Sequence, residues 1–329
     1  MEQPAAVVIG ASSGGVAALL ELVAALPPRF GAVVLVVQHI GANPSVLPEL
    51  MRSRGPNPAV HARDGDVPRP GTLYVAPPDH HMLLERDAIR LVRSARENHA
   101  RPAIDPLFRS AALHWGPRVI GVILSGQLDD GTAGLQAIKE CGGRAIVQDP
   151  GTAVEPSMPR SALANVAVDL CLPLAGIAPA LVRMVAAPPP DATGTASELV
   201  RREVQINQGK ETMENLLHLG RPSGLTCPDC GGALFELDGT RPVRFRCHTG
   251  HAFSAHSLAQ AQGEVTEQAL RSGVRALQER EMLLRRLATV SRGSGQAAQA
   301  EVGERRAEEY RRHASALTRL IEEGDFGNA

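Results

Sequence analysis

Lysine is nearly missing from this chain: it stands only at positions 139 and 210, so Arg carries almost all of the positive charge. Lys plus Arg number 34 against 35 for Asp plus Glu, which excludes the basic field that drives binding to a phosphate backbone. Nucleic acid is therefore not an expected partner. Long apolar runs are lacking too. No stretch approaches the roughly 20 residues that cross a bilayer, and Met1-Glu2-Gln3-Pro4 has neither the charged start nor the apolar stretch of a signal peptide. The expectation is a soluble cytoplasmic protein without membrane insertion. The five cysteines are too few and too scattered for a disulfide framework, but three of them cluster between 227 and 247 beside histidines, which suits a metal site.

At 329 residues the chain exceeds what one core usually serves. From residue 5 to about 185, short β-branched runs alternate with longer amphipathic stretches, the pattern of a parallel sheet covered by helices on both faces. Strands are expected at Ala6 to Ile9, Val33 to Val37, Leu73 to Val75, Val119 to Leu124 and Ala145 to Gln148. Helices are expected at Val16 to Leu26, Ser45 to Arg54, Pro106 to Trp115 and Thr132 to Cys141. The run Ala186 to Ser197, rich in Pro, Thr and Gly, reads as a solvated linker. The organisation that follows is an α/β catalytic domain at 1–187, a linker and unplaced segment at 188–222, a zinc-ribbon-like unit at 223–255 and an α-helical hairpin at 256–329. In that hairpin Leu270, Val274, Leu277, Leu284 and Leu287 share one face, Ser291 to Gly295 form the turn, and Val302, Tyr310, Ala314, Leu317 and Ile321 face back.

Gly10-Ala11-Ser12-Ser13-Gly14-Gly15 follows an expected strand and opens an expected helix, so backbone N–H groups and the helix dipole face whatever binds there. One reading is the dinucleotide loop of a short-chain dehydrogenase. Those enzymes need a Tyr with a Lys four residues later, and Tyr74 and Tyr310 are followed at that spacing by Pro78 and Ala314. The other reading makes Ser12 a nucleophile exposed on a sharp turn. A second strand ends in Gln38-His39 and a third runs into Ser125-Gly126-Gln127-Leu128-Asp129-Asp130-Gly131. Neighbouring parallel strands deliver their carboxyl ends to one edge, so His39 can serve as base and Asp130 or Asp129 can orient its ring. Taken singly, such residues are more often a helix cap, a packed histidine and a turn.

Taken together, Ile9 to Gly15, Gln38-His39, Tyr74-Val75-Ala76-Pro77, His99-Ala100-Arg101-Pro102 with Asp105, Leu107 and Phe108, Gly121 to Gly126, Asp130-Gly131 and Met158-Pro159-Arg160 resemble the catalytic domain of the CheB-type protein-glutamate methylesterases. The resemblance implies Ser12 as nucleophile, His39 as general base and then acid, and Asp130 as its carboxylate. Ser13, Gly126, Gln127, Met158, Pro159 and Arg160 would line the substrate or oxyanion site, with backbone N–H groups near Gly126 to Leu128 or near Ser13 as oxyanion donors. It also implies methyl ester hydrolysis on chemoreceptor-like proteins, glutamine deamidation as a companion activity, no catalytic cofactor, and a separate receiver or signalling partner, since the catalytic strand starts at residue 5. The family usually has Gly-Met-Gly where this chain has Gly126-Gln127-Leu128, and Leu resists a positive φ. That departure keeps open a non-catalytic adaptor that binds receptor helices or signalling partners. A generic carboxylesterase is disfavoured by the order Ser, His, Asp and by the lack of a His-Gly-Gly-Gly loop.

Cys227-Pro228-Asp229-Cys230 and Cys247-His248-Thr249-Gly250-His251 offer two ligand pairs at zinc-ribbon spacing. Cys227, Cys230, Cys247 and His251 are the expected ligands of a structural zinc, with His248 as the rival fourth.

Overall fold

A computed structural model of the chain describes residues 4–190, 194–210 and 212–324. Part of the linker, residues 191–193, lies outside the described residues. From the N-terminus, β1 (Ala5–Ala11), α1 (Gly15–Ala25) and β2 (Ala32–Gln38) are followed by α2 (Leu47–Arg54), β3 (Ala59–His61) and β4 (Leu73–Val75). A hairpin of β5 (His81–Leu84) and β6 (Ile89–Val92) leads to α3 (Ile104–Trp115) and β7 (Val119–Ile123). Then come α4 (Thr132–Glu140), β8 (Arg144–Gln148), α5 (Ser157–Asn165), β9 (Leu170–Leu172) and α6 (Leu174–Ala186).

Seven strands form one parallel sheet in the order β3-β4-β2-β1-β7-β8-β9. Strands β1 and β2 read as nearly unbroken apolar runs because both their faces are buried. Val7, Ile9, Val34 and Val36 share a core with Leu19, Leu22, Met51 and Leu181, while Val8, Val33, Leu35 and Val37 share another with Leu107, Phe108, Leu135 and Ile138. Helices α1, α2 and α6 thus cover one face and α3 and α4 the other, as the alternating pattern predicts. The chain winds outward from β1 through β2 and then returns to its other side at β7. This reversal opens a crevice at the carboxyl ends of β1 and β7, where ligands of such sheets bind.

The segment that sequence patterns leave unplaced forms α7 (Glu198–Asn207) and α8 (Thr212–Leu219). Strands β10 (Gly220–Thr226), β11 (Ala233–Leu237), β12 (Arg244–Cys247) and β13 (Ala252–Ser254) then make a small antiparallel sheet in that order. This sheet is continuous with the large domain: one compact unit runs to Ser257. Backbone bonds stitch them together, with the Asn98 N–H on the Ala252 carbonyl at 2.8 Å and the Ala252 N–H on the Arg96 carbonyl at 3.2 Å.

A buried ionic cluster crosses the same junction. Arg246 donates to Glu97 at 2.9 Å and to Glu203 at 2.8 Å, and Arg244 grips both oxygens of Glu203 at 2.9 Å. Arg109 donates to Glu97 at 2.6 Å and to Asn207 at 3.2 Å. Glu203 and Arg246 are 0 % exposed. Burial alone pushes a carboxyl up, but the surrounding guanidinium groups hold Glu97 well below the usual range and bring Glu203 down to about 2. Such a cluster adds little over an apolar core of equal volume, yet losing one member leaves a buried charge unmatched.

The second unit, from Leu258, belongs to α9 (Ala255–Gly293) and α10 (Ala297–Glu323). The turn between these helices places Gly295 at φ 76. Small residues line their contact: Ala288, Ala300, Ala307 and Ala314 are buried, and Gly303 lies against Ala288. Leu287 and Val302, expected on the packed face, are instead 52 % and 43 % exposed. The close alanine contact turns those larger residues outward, while Leu270, Val274, Leu277, Leu284, Leu317 and Ile321 are half-buried.

Candidate active site

Ser12 leaves β1 at the carboxyl edge of the sheet, and its N–H donates to the Ser125 carbonyl at 2.9 Å. The His39 N–H, just past β2, donates to the Ala11 carbonyl at 3.1 Å. These bonds fix three strand ends side by side. A sharp turn then starts α1, with Gly14 at φ 74. A Cβ there would stand 2.6 Å from Val154 Cβ and 2.8 Å from Ser125 Oγ, so only glycine fits.

His39 Nδ1 lies 3.0 Å from Ser12 Oγ, and His39 Nε2 lies 2.7 Å from Asp130 Oδ2. Pairing with a carboxylate puts the ring proton on Nε2, which leaves Nδ1 free to accept the Ser12 hydroxyl proton. The ring nitrogens are thus exchanged relative to the serine protease arrangement. Asp130 is 2 % exposed. Besides His39, its Oδ2 accepts the Ile104 N–H at 2.7 Å, and its Oδ1 accepts the Gly131 N–H at 2.9 Å, Asn98 Nδ2 at 3.1 Å and the Asp105 N–H at 3.3 Å. Two of those donors are the start of α3, whose dipole favours an anion. Burial pushes the Asp130 carboxyl up, but the His39 bond, the Ile104 N–H and the Asn98 amide outweigh it and hold Asp130 below the ordinary range.

The other candidate, Asp129, faces away from the imidazole: its Oδ1 accepts the Ser254 hydroxyl at 2.7 Å, and burial pushes it up. Asp105 is buried beside Asp130 and is pushed up to about 8, first by burial and then by the Asp130 charge. A neutral Asp105 leaves Asp130 as the anion that faces the ring. His81 braces the loop before α3: its Nε2 pairs with the Ala95 carbonyl at 3.0 Å and its Nδ1 accepts the Ala103 N–H at 3.1 Å. Burial holds that imidazole down at about 4, hence neutral.

Around the serine, Ser13 and Gln127 are exposed and Met158 and Pro159 are buried, with Arg160 exposed at the start of α5. Gly126 donates its N–H to the Glu155 carbonyl at 2.9 Å, so that N–H is already committed. Its contribution is space: a Cβ would stand 2.1 Å from Met158 Sδ and 2.8 Å from Ser12 Cβ. Leu128, where a glycine is usual, adopts φ 60. The loop therefore keeps the left-handed turn despite its side chain, at a cost of about 1–2 kcal/mol.

In the small sheet, single ligand atoms of Cys227, Cys230, Cys247 and His251 all lie within 4.8 Å of one another. Cys230 and Cys247 Sγ are 3.7 Å apart, and His251 Nδ1 is 3.5 Å from Cys247 Sγ. Tetrahedral zinc with sulfurs at 2.3 Å needs S–S separations of about 3.8 Å. The donor set and its spacing fit a metal ion. His251 Nε2 points toward the Asp229 carboxylate at 3.7 Å, an outer partner of the kind that orients ligating histidines. His248 is exposed, with its ring over Gly232.

Sequence patterns point to Ser12, His39, Asp130 and the four metal-type ligands, and the fold brings each set together. They miss Asn98, Ile104, Ser254, Ser257, Glu97, Arg109, Glu203 and Arg246. Arginines at alternate positions, as in Arg244-Phe245-Arg246, share one face of the strand β12 that the structure forms there and are the one signal that could have found them.

A serine, an imidazole and a buried carboxylate stand in series at the carboxyl edge of a doubly covered parallel sheet, the arrangement that serine hydrolases use. Residues 7–181 match the CheB methylesterase family, and the chain belongs to that family. It is 40 % identical over 185 residues to a putative protein-glutamate methylesterase/protein-glutamine glutaminase of Leptospira interrogans, covering 54 % of this chain and 94 % of that protein. A protein-glutamate methylesterase/protein-glutamine glutaminase of Moorella thermoacetica is 42 % identical over 187 residues, which cover 54 % of this chain and 44 % of that longer protein. The crystal structure of the Thermotoga maritima CheB methylesterase catalytic domain superposes with a TM-score of 0.54 at 33 % identity, covering 56 % of this chain and all of that one.

Proposed function

We propose that the chain is a protein-glutamate methylesterase that also deamidates glutamine, with Ser12, His39 and Asp130 as its catalytic residues. The reading rests on the Ser12–His39–Asp130 series of 3.0 Å and 2.7 Å contacts in a chain of this family. Ser12 Oγ attacks the carbonyl carbon of the glutamate methyl ester while His39 Nδ1 takes its proton. The resulting imidazolium is stabilised by Asp130 and returns the proton to the departing methoxide, which leaves as methanol. Water then attacks the acyl-enzyme with His39 again as base, which releases glutamate and regenerates Ser12. An amide follows the same course with ammonia as the leaving group. The oxyanion is assigned to the N–H groups entering α1 near Ser13, where a helix start leaves donors without partners inside the helix.

Ser13, Gln127 and Arg160 are assigned to the substrate face, with buried Met158 and Pro159 packed behind it. The substrate is a methylated chemoreceptor-like protein. Cys227, Cys230, Cys247 and His251 hold a structural zinc, which supplies cross-linking of the small sheet and no chemistry at Ser12. The compartment is the cytoplasm; no helix among the described residues is long and apolar enough to cross a membrane.

Methanol release from a methylated receptor fragment tests the reading. The parent is expected to turn over, and Ser12→Ala or His39→Ala is expected to cost about 10⁴-fold or more. A folded parent that releases neither methanol nor ammonia refutes it.

A further inference from the structure

The small sheet bears on the active site through Asn98, a residue of the loop before α3. Asn98 stands at φ 47 and the next residue, His99, at φ 61, a conformation uncommon outside glycine that Asn and His tolerate better than most residues. Strand β13 holds Asn98 there. The Asn98 N–H donates to the Ala252 carbonyl at 2.8 Å, and Asn98 Oδ1 accepts the Ser254 N–H at 3.0 Å and the Ser257 hydroxyl at 2.9 Å. With two donors facing its oxygen, the carboxamide has one satisfiable orientation, the one that sends Nδ2 toward Asp130 Oδ1 at 3.1 Å. A flipped amide would set NH2 against two donors and oxygen against a carboxylate. Ser254 Oγ meanwhile holds Asp129, the neighbour of Asp130 in the same turn, at 2.7 Å. His99, packed edge-on against Phe253 with centroids 5.2 Å apart, also faces Asp229 at 3.7 Å, the carboxylate beside His251.

We infer that Asn98 is a positioning residue for the hydrolysis, set by Ser254 and Ser257, so that the small sheet, and with it the Cys227–His251 cluster, holds the carboxylate that orients His39. This rests on the Ser12–His39–Asp130 reading above. Removing the Asn98 donor leaves Asp130 with less of its charge dispersed, so the carboxylate holds the imidazolium more strongly and orients the neutral ring less well.

The experiment uses the full metal-loaded chain. Steady-state methanol release is followed against pH for the parent, Asn98→Ala, Asn98→Asp and Ser257→Ala, with Ser12→Ala as the blank. Loss of one hydrogen bond to a charged group corresponds to about 10- to 100-fold in rate. That loss is expected in kcat for Asn98→Ala and Asn98→Asp with KM held within about two-fold, and a smaller loss in the same direction for Ser257→Ala. The acid limb of the profile is expected to move up by about one pH unit. The low-field proton resonance of the His39–Asp130 hydrogen bond is read in parallel, because it needs no turnover. It is expected to shift in all three variants, so the inference stays testable if the parent proves inactive and the methylesterase reading falls. Ser257→Ala removes only a hydroxyl and decides the matter if the Asn98 variants fail to fold. A folded variant set with kcat, acid limb and imidazole resonance all as in the parent overturns the inference.

Discussion

Replacing Glu203 with Gln removes one negative charge from the centre of the buried cluster and keeps its volume. Glu203 accepts three hydrogen bonds from Arg244 and Arg246, all between 2.8 and 2.9 Å, and is 0 % exposed. Breaking a buried ion pair by deleting one partner costs about 3–5 kcal/mol. The same guanidinium groups outweigh burial and hold the Glu203 carboxyl down at about 2, which points in the same direction. Guanidinium denaturation measures the loss, with exposed Glu21→Gln as the control, expected within about 0.5 kcal/mol. The sign of the pH dependence is a second readout. A carboxyl depressed on folding stabilises above its unfolded value and loses that contribution as pH falls through its folded one. The gap between parent and Glu203→Gln should therefore be full above pH 4.5 and close toward pH 2. A loss below 1 kcal/mol at neutral pH, or a gap that does not narrow in acid, would refute the account of the cluster.

Asp105 predicts the opposite slope. Its folded value is raised from 3.8 to about 8, so stability is greatest below pH 3.8 for this group and declines until about pH 8; Asp105→Asn should flatten that decline in thermal melts taken across the range. Leu128→Gly should relieve the left-handed strain and raise stability by up to about 1 kcal/mol, after the entropy that glycine loses on folding, with methanol release undiminished; a loss of stability would contradict the strain argument. Removal of metal by a chelator, or Cys230→Ser, should lower the melting temperature and open amide exchange in β12 and β13. Elemental analysis should find about one zinc per chain in the parent, and unchanged exchange after stripping would remove the structural role.

The parallel sheet was legible because both its faces are buried, which leaves β1 and β2 as apolar runs bounded by turn residues. The site was legible because three strand ends carry their chemistry at the same edge. Asn98 and Glu97 were not legible, since neither belongs to a local period. Their partners lie up to 159 residues away, and long-range pairing leaves no trace in a single window of sequence. The helical hairpin was legible in length, direction and part of its contact, Ala314 included, but Leu287 and Val302 turn outward because alanines permit a closer approach than the larger residues that mark an amphipathic stripe.

The match to the CheB methylesterase family ends at residue 181, yet the ion cluster joins Glu97 and Arg109 to Glu203, Arg244 and Arg246. The family match and the compact unit therefore end at different places, at residue 181 and at Ser257. A lineage that exchanged everything beyond the linker for another tail would receive a hydrolase half with an unsupported loop and a buried arginine stripped of one counterion. Such recombination is free only where the incoming segment brings its own carboxylate and its own strand for Asn98. The segment from α7 to β13 is thus bound to the hydrolase half by buried charge as well as by covalent linkage.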